Sequence, residues 1–489
     1  MIQTPRYFLI LAALIIVSAF SSSDKYNYCP ASLFFSDTTV LPVIRARDHL
    51  GQSILKTNGA VSLISGLDND YYYSDSNNRT GYLYVETNVA SYTNYNQART
   101  PLNISIVIDR SGSMGEDRPE KKPFSKIEYA KKAAKLIVEK LDSLDYVSVV
   151  VYDNFINVIQ KATPDTCKAT IKKKIDAIHP RGATDLWGGT ERGYKEAMNF
   201  YESGRVNRVL LLSDGQANVG LTDPRQIGKK VQEYRDSGIS LSTFGVGLDY
   251  NELLMTSMAE NGAGNYYLID SANKITGLFN HELNSLLHVM VQNATLKIKI
   301  PPGVIIESGY PYKYDQKGEY ILCRFQDLSQ YDKKGILLKY RITDKIKAPL
   351  VFSSIIEYVD VLDKQHKSIT IENTLKPIKD KNSLLSHFNK QVIEQALLFS
   401  AGDNLEEAMV LADDGKFSEA KNYIDANSSF FKANSYYVNG SNDLKKMDST
   451  NMRYSLGLSR IKSMTKDSIN WMQKKTRAEI YGIRNKKNN

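Results

Sequence analysis

Between residues 101 and 290, short apolar runs alternate with segments whose apolar residues recur at helical spacing. The apolar runs have the length and composition of buried strands: Ile104–Ile108, Tyr146–Tyr152, Val206–Leu212, Ile239–Val246 and Asn265–Leu268. The segments between them predict amphipathic helices, the clearest being Ser125–Leu141, Thr166–Ile178, Glu252–Glu260 and Ala272–Met290. Strands that alternate with helices predict an α/β domain with a doubly wound, mostly parallel sheet.

The first of these helices opens with the sequence Ser125-Lys126-Ile127-Glu128, which has the pattern of a capping box. In such a box the serine side chain accepts a hydrogen bond from the third helical residue, and the glutamate side chain reaches back to the serine backbone. We therefore expect Ser125 and Glu128 to satisfy backbone groups of the first turn.

The segments on either side of this domain change to a period of two, which is typical of antiparallel strands. Before it, residues 38–100 contain two alternating runs, Gly59–Leu67 and Gly81–Tyr92. After it, residues 291–375 contain further strand-like runs: Leu296–Ile300, Gly318–Phe325, Gly335–Ile342 and Leu350–Val361. Because the first section is too short to form a core alone, both sections are predicted to build one antiparallel β-sandwich, into which the α/β domain is inserted.

The last part of the chain returns to helical periodicity. Residues 376–383 read as a linker, and residues 384–489 predict a helical region that ends in a disordered tail, Arg484–Asn489. Helices are expected over Leu405–Leu411, Phe417–Ala426 and Ser455–Lys475. The turn at Asp413–Ala420 resembles that of a helical-hairpin repeat, but it occurs once, so a small helical hairpin domain is predicted rather than a solenoid.

The first 21 residues have the pattern of a secretory signal peptide, with a basic residue before an apolar run and small residues after it. That run, about 13 residues, is short for a membrane span, and an uncleaved N-terminal anchor is the alternative. Residues 22–37 are expected to form a leader, and the protein is predicted to be exported to a bacterial periplasm, a cell surface or the medium. The three cysteines, Cys29, Cys167 and Cys323, are too few for a disulfide framework, and the sequence does not decide whether two of them pair.

Composition excludes several classes of function. The net charge of +9 over 489 residues comes from scattered lysines rather than a basic stripe, so no nucleic-acid partner is predicted. After signal removal, no transmembrane span is expected. The six histidines form no zinc-protease motif, and neither a nucleophile elbow nor a phosphate loop occurs. A function other than catalysis is therefore predicted.

A carboxylate and two hydroxyls follow the first buried strand, in the sequence Asp109-Arg110-Ser111-Gly112-Ser113. Open α/β sheets bind ligands at the carboxyl ends of their strands. Oxygen ligands at this density suit Mg²⁺, Mn²⁺ or Ca²⁺ better than Zn²⁺, which prefers nitrogen and sulfur. Taken alone, the motif has an alternative interpretation as a Ser/Gly-rich turn that caps a helix.

Two later loops add matching residues, Thr184 after Arg181-Gly182-Ala183 and Asp214 after a second buried strand. Their order and strand context over residues 101–290 resemble the von Willebrand factor A (VWA) family and its metal-ion-dependent adhesion site. The resemblance implies one divalent cation, Mg²⁺ before Mn²⁺ or Ca²⁺, and a set of ligands: Asp109, Ser111, Ser113, Thr184 and Asp214. Secreted bacterial VWA proteins, and proteins similar to inter-alpha-trypsin inhibitor heavy chains, have flanking β segments of the same kind.

The resemblance also implies a function. Such a site leaves one coordination position open, which a partner's Asp or Glu side chain fills, so the chain is predicted to be an exported adhesion or protein-binding module. The partner-binding face is expected to include Arg110, Met114, Asp185 and Trp187. Alternatively, Asp185 caps the next helix, Trp187 lies in the core and Arg110 is solvated. A structural or assembly scaffold of the cell envelope, stabilised by the metal, is the alternative function.

Overall fold

The computed structural model describes residues 50–74, 79–90, 99–115, 125–163, 167–215, 217–247, 250–269, 272–311, 314–343 and 346–485. The predicted signal peptide and leader, Cys29 and the last four residues of the predicted tail lie outside these ranges. Within them, no helix has both the length and the hydropathy that a membrane crossing requires. Cys167 is exposed, whereas Cys323 is a buried free thiol whose pKa is raised by burial to about 12.

Strands and helices are numbered in chain order. The strands are β1 (Ile54–Asn58), β2 (Val61–Leu67), β3 (Tyr71–Tyr73), β4 (Thr80–Val89), β5 (Leu102–Asp109), β6 (Tyr146–Tyr152), β7 (Ile156–Thr163), β8 (Val206–Ser213), β9 (Ser240–Val246), β10 (Ala263–Ile269), β11 (Val289–Lys299), β12 (Val304–Tyr310), β13 (Asp315–Lys317), β14 (Tyr320–Ser329), β15 (Lys333–Ile342), β16 (Leu350–Asp360) and β17 (His366–Ile378). The helices are α1 (Lys126–Lys140), α2 (Lys168–Asp176), α3 (Leu186–Met198), α4 (Pro224–Asp236), α5 (Glu252–Asn261), α6 (Ala272–Leu287), α7 (Lys381–Ser386), α8 (Lys390–Asp413), α9 (Phe417–Ala433), α10 (Ser435–Gly440), α11 (Asn442–Ser459) and α12 (Lys466–Arg484).

The middle of the chain forms an α/β domain around one six-stranded sheet of order β10-β9-β8-β5-β6-β7. All neighbouring strands are parallel except β7, which returns antiparallel to β6. Every residue of β5 and β8 is buried, because helices cover both faces of the sheet. The predicted doubly wound, mostly parallel sheet is therefore confirmed.

Helix α3 packs unusually close to this sheet because two glycines face it. A Cβ at Gly189 would lie 2.3 Å from Cδ1 of Tyr152, and a Cβ at Gly193 would lie 2.3 Å from Cγ2 of Val107. Both partners are fully buried side chains of one hydrophobic core, and protein cores are closely packed. The closeness matters for the site, since α3 begins directly after the Thr184 loop.

Gly189→Ala is expected to destabilise the protein by about 1–3 kcal/mol, because overpacking against Tyr152 outweighs the better helix propensity of alanine. Gly277→Ala is the matched control, since a Cβ at this exposed position of α6 meets no atom within 4 Å. That control should gain about 0.5–1 kcal/mol. Urea unfolding followed by circular dichroism measures both changes, and equal effects of the two variants would contradict the packing argument.

The flanking segments form the predicted β-sandwich. Its five-stranded sheet has the order β1-β2-β4-β15-β12, and its six-stranded sheet has the order β13-β14-β11-β16-β17-β3. Leu83 and Val85 of β4 pack in one core with Leu296 of β11 and Ile356 of β16. Because β4 precedes the α/β domain and β11 follows it, the domain is an insertion in the sandwich, as predicted.

Two element boundaries differ from the predictions. The helix expected to reach Met290 ends at Leu287, because Val289 and Val291 pair with β14 and begin an eleven-residue strand. The segment expected to be a linker, 376–383, is largely regular structure. Lys376–Ile378 complete β17 and pair with β3, while Lys381 starts α7.

The capping box predicted for α1 does not form. Ser125 is the N-cap residue of α1, but its side chain makes no capping hydrogen bond. Glu128 instead binds Lys131, whose Nζ lies 2.8 Å from its Oε1. The side chains of the first turn of α1 thus make other contacts, and one of them joins Lys126 to Asp214.

The C-terminal region is helical and packs on the outer face of the five-stranded sheet, where Tyr82 and Tyr84 of β4 join its core. Its helices are longer than predicted. The expected helix Ser455–Lys475 is broken between α11 and α12, where the Thr465 side chain caps the new helix by accepting from the Ser468 N–H. Arg484, assigned to the disordered tail, is instead the last residue of α12 and forms ion pairs with Asp403 and Glu406.

A row of buried asparagines joins three of these helices. Asn427 of α9 donates to the carbonyl of Ala401 at 3.0 Å and to Oδ1 of Asn451 at 3.1 Å, and it accepts from Asn404 at 3.3 Å. Buried amides of this kind are tolerated only when paired. They therefore fix the register of α8, α9 and α11 against one another.

Candidate metal centre

The predicted site residues lie on three loops at the carboxyl edge of the α/β sheet. Strand β5 is flanked by β8 and β6, so the loops that leave β5 and β8 start side by side. The loop that carries Thr184 is joined to the loop after β5 through two backbone bonds, from the Gly112 N–H to the Gly182 carbonyl and from the Arg181 N–H to the Arg110 carbonyl. The topology thus brings together residues that are up to about a hundred positions apart, as expected at a switch point of an open sheet.

Asp109 is fully buried at the end of β5. Its Oδ1 accepts a hydrogen bond from the Ser111 N–H at 2.8 Å, and its Oδ2 accepts one from the Ser213 hydroxyl at 2.6 Å. Burial and the charge of Asp214 raise the pKa of Asp109 to about 6, although the bonds from Ser213 and Ser111 oppose this shift. A buried carboxylate beside a second one is a strong attractor for a cation.

The three hydroxyl residues predicted as ligands lie on the turn after β5 and on the Thr184 loop. The Ser111 and Ser113 oxygens lie 3.1 Å apart. Thr184 is buried, and its backbone N–H donates to Oδ1 of Asn218 at 2.8 Å while its carbonyl accepts from the Asn218 and Val219 N–H groups. The three hydroxyl residues therefore sit on loops that are bonded to one another.

Asp214 follows β8 and is also fully buried. Its Oδ2 accepts a hydrogen bond from the ammonium of Lys126 at 2.9 Å, whereas its Oδ1 is buried and has no hydrogen-bond partner among the described residues. An unpaired buried carboxylate oxygen is costly unless something binds it. This oxygen is the feature of the structure that best fits a bound cation.

The donor set agrees with a hard divalent ion. The described residues hold no cluster of three or more His, Cys, Asp or Glu side chains arranged for a metal, and the candidate centre differs in kind, with two carboxylates and three hydroxyls. Oxygen ligands of low total charge suit Mg²⁺, which keeps some of its waters. The residues present therefore fit the ion that the sequence predicts.

Of the residues predicted for the partner-binding face, two are in the core. Met114 is completely buried, because the short 3₁₀ turn Gly112–Gly115 folds its side chain beneath the loop, where it joins the cluster of Ile127. Trp187 is 6% exposed and lies in the core on the α3 side, with its ring centroid 6.4 Å from that of Tyr234. Assigning these two side chains to the face was wrong, and the alternative that Trp187 is core holds.

The two charged residues also have internal partners. Asp185 caps α3 by accepting from the Gly188 N–H at 2.9 Å, which is the capping alternative. Arg110 is neither solvated nor directed at a partner, since its Nε lies 2.9 Å from Oδ2 of buried Asp153. The same oxygen binds Arg181 at 2.7 Å, and this second arginine is 59% exposed.

Sequence reasoning missed Lys126, Asp153 and Arg181. Asp153 follows strand β6 just as Asp109 follows β5, so its position after a buried strand was the available signal. Arg181 lies three residues before Thr184 on the same loop, and this position was its available signal. Lys126 carried no signal, because its sequence neighbours suggested only a helix start.

Comparison with known proteins identifies the class of the middle domain. Residues 103–281 match the family model described as the von Willebrand factor type A domain. YfbK of Escherichia coli K12, an uncharacterised protein, is 34% identical over 206 residues, which are 42% of this chain and 35% of that protein. Inter-alpha-trypsin inhibitor heavy chain H3 of Pongo abelii is 25% identical over 231 residues, which are 44% of this chain and 25% of that protein.

The likeness of fold extends beyond the matched residues. A solved structure, von Willebrand factor type A from Catenulispora acidiphila, superposes with a TM-score of 0.62 at 12% identity and covers 81% of this chain and 91% of that one. The chain spans only about a third of YfbK and a quarter of heavy chain H3. The predicted VWA-like domain is thus confirmed, and domains of this family are generally protein-interaction or adhesion modules.

Proposed function

We propose that the VWA domain binds an acidic group of a protein partner through a divalent cation, with Mg²⁺ the best suited ion. Asp109, Ser111, Ser113, Thr184 and Asp214 would hold this ion. The observation that carries the proposal is the buried Oδ1 of Asp214, which has no hydrogen-bond partner within the described part of the chain. The ion supplies an electrophilic site that a carboxylate of the partner can reach.

The charge around the site favours an acidic partner. Buried Asp153 holds two arginines, Arg110 and Arg181, so this group carries a net positive charge. Arg181 extends into solvent beside the Thr184 loop, and Phe155, at the tip of the β6–β7 hairpin, is 64% exposed. A positive potential and an exposed aromatic ring are typical of surfaces that bind acidic protein segments.

A scaffold function is the second candidate, because the VWA domain is bonded to both of its neighbours. Lys474 of α12 donates to the Tyr250 carbonyl at 2.6 Å. Gln292 and Gln326 of the sandwich donate to the carbonyls of Arg205 and Arg235. A scaffold should lose stability on chelation and capture no acidic ligand, whereas a binding module should capture one only with metal present.

We further propose that the protein is exported and has no catalytic activity. Export is supported by the signal-peptide pattern of residues 1–21, and the lack of enzyme motifs in the sequence supports a binding function. A periplasmic, cell-surface or secreted location would each give the site access to extracellular Mg²⁺ or Ca²⁺.

Asp109→Ala is expected to abolish metal binding and leave a folded chain. Magnesium at a hundred times its dissociation constant should stabilise the parent by about 2.7 kcal/mol and the variant not at all. The variant folds because the substitution removes one of two buried carboxylates that repel each other. Thermal melts in Mg²⁺ and in EDTA measure the difference.

Asp176→Ala is the control, because this exposed carboxylate lies on the same domain and forms an ion pair with Lys135 on the surface. It should respond to Mg²⁺ as the parent does. If Asp109→Ala retains the parental response, the ligand assignment is wrong. A parent that gains no stability but captures an acidic protein only in Mg²⁺ would still support the binding function.

A further inference from the structure

The ammonium of Lys126 reaches the candidate metal centre from the first turn of α1. It lies 2.9 Å from Oδ2 of Asp214, and the side chain is 10% exposed. The aliphatic stem passes Gly247, where a Cβ would stand 2.8 Å from Lys126 Cε. Gly247 also has a φ of +90°, so both its space and its backbone favour glycine. The path of the Lys126 side chain is therefore fixed by its packing against Gly247.

The contact between Lys126 and Asp214 matters because the site contains two buried carboxylates. Asp109 and Asp214 are both fully buried, and burying two neighbouring carboxylates without a cation is strongly unfavourable. Arg110, the nearest arginine in sequence, is committed to Asp153. Lys126 is thus the side chain whose ion pair with Asp214 offsets the charge of the two carboxylates.

We propose that Lys126 is an internal counter-cation that sets the metal affinity of the site. In the metal-free protein it neutralises Asp214, so the domain stays folded without an ion. A divalent ion that binds beside this fixed positive charge is repelled by it, so the affinity of the site for the ion is lowered. The two carboxylates, the ammonium and the ion together then carry a net charge of about +1. The inference rests on the metal-binding function proposed above and adds a regulating residue to it.

The net charge has a consequence for the partner. Two carboxylates and one ammonium sum to −1, so a divalent ion converts the centre to about +1 rather than neutralising it. A centre with excess positive charge favours a further anionic ligand. Metal bound only weakly in the free protein is then held more firmly once the partner's carboxylate arrives.

The test compares Lys126→Met with Lys131→Met in the full chain. Lys131 lies on the same helix and is equally buried, but its ammonium binds Glu128 and the Asp176 carbonyl rather than a metal ligand. Isothermal titration with MgCl₂ and with MnCl₂ gives the affinities. We expect Lys126→Met to bind at least about tenfold more tightly than the parent, and Lys131→Met to match the parent.

Melting temperature supplies the second readout. In EDTA, Lys126→Met should melt below the parent, and Mg²⁺ should raise its melting temperature more than it raises that of the parent. Lys126→Gln is the second variant if the methionine protein does not fold, and Lys126→Arg, which keeps the charge, should retain weak binding.

The outcomes separate this inference from the proposed function. If the parent binds Mg²⁺ and Lys126→Met binds equally or more weakly, Lys126 only positions Asp214, and the inference fails while the function stands. If neither protein binds either ion, the inference fails, and the proposed function fails with it unless the parent captures an acidic protein only in Mg²⁺. If only Lys126→Met binds the free ion, the counter-cation is confirmed, and Mg²⁺-dependent capture of an acidic protein by the parent then decides the proposed function.

Discussion

Replacing Glu282 with glutamine is expected to destabilise the VWA domain by about 3–5 kcal/mol at pH 7. Glu282 is fully buried on α6 and binds Arg208 of β8, whose Nη1 lies 3.2 Å from its Oε1. The same oxygen accepts from the Ser242 hydroxyl at 2.6 Å, and the other oxygen accepts from Asn265 at 2.7 Å and Tyr267 at 2.8 Å. This one side chain therefore fastens the last helix of the domain to three strands.

Glutamine cannot reproduce this arrangement, because all four partners donate to the carboxylate. One oxygen becomes an NH₂ group that faces donors, and buried Arg208 loses its counter-charge. Breaking a buried ion pair from one side costs more than the pair itself contributes, since the remaining charge stays desolvated. The loss should therefore far exceed that of a surface pair, which is within about 1 kcal/mol.

The effect should depend on pH in a defined direction. Burial alone would raise the pKa of Glu282, but Arg208 and the hydrogen bonds outweigh it, so the pKa is lowered. A carboxyl with a lowered folded-state pKa contributes stability above its unfolded value of about 4.3, and that contribution is lost as the pH falls through the folded-state pKa. The gap between parent and Glu282→Gln should thus be full at pH 7 and shrink below about pH 4.

Hydrogen exchange of the β8 and β9 amides measures this local stability within the full chain. Glu202→Gln is the control, because Glu202 is largely exposed and pairs with Arg205 three residues later. It should change protection little at any pH. A Glu282→Gln protein with parental protection of β8 at pH 7 would show that the network contributes nothing to stability.

The elements of the VWA domain could be predicted from sequence because their signals are local. The runs Tyr146–Tyr152 and Ile239–Val246 are rich in apolar and β-branched residues, and the strands form at Tyr146–Tyr152 and Ser240–Val246. The ligand motif is equally local, and its two later members follow from the order of the strands. Period and spacing suffice for these features.

The directions of side chains on loops were harder to predict, because loops have no regular hydrophobic period that fixes which side chains face the core. Met114 and Arg110 flank the ligands in sequence, yet one points into the core and the other to Asp153. Lys126 and Glu282 find their partners 88 and 74 residues away, respectively, and such pairs depend on topology. The end of β17 was predicted as a linker for the same reason, since its last residues pair with β3 about 300 positions earlier in the chain.

A chain that begins at residue 99 is expected to lose the sandwich while keeping the VWA domain. It would lack β1, β2 and β4, three of the five strands of one sheet. Strand β15 would lose its nine-residue pairing with β4, from Thr80 opposite Arg341 to Asn88 opposite Lys333. The core would also lose the buried apolar side chains of these strands, among them Leu63, Leu83 and Val85.

Each of these buried side chains contributes roughly 2–3 kcal/mol, so their loss, together with that of the pairing, exceeds the marginal stability of a typical domain. The helical region should loosen as well, because Tyr82 and Tyr84 belong to its core. Strands β5 to β10 contain none of the deleted residues and should stay protected. Limited proteolysis and hydrogen exchange distinguish the two parts.

The chain that begins at residue 50 is the control and should be protected throughout its sheets. Adding residues 50–90 as a separate peptide to the shortened chain should restore protection of β15, since the antiparallel pairing needs no covalent link to the VWA domain. Full protection of β15 and β16 without the peptide would mean that the second section folds alone. The VWA domain would then stand between two independent units rather than within one.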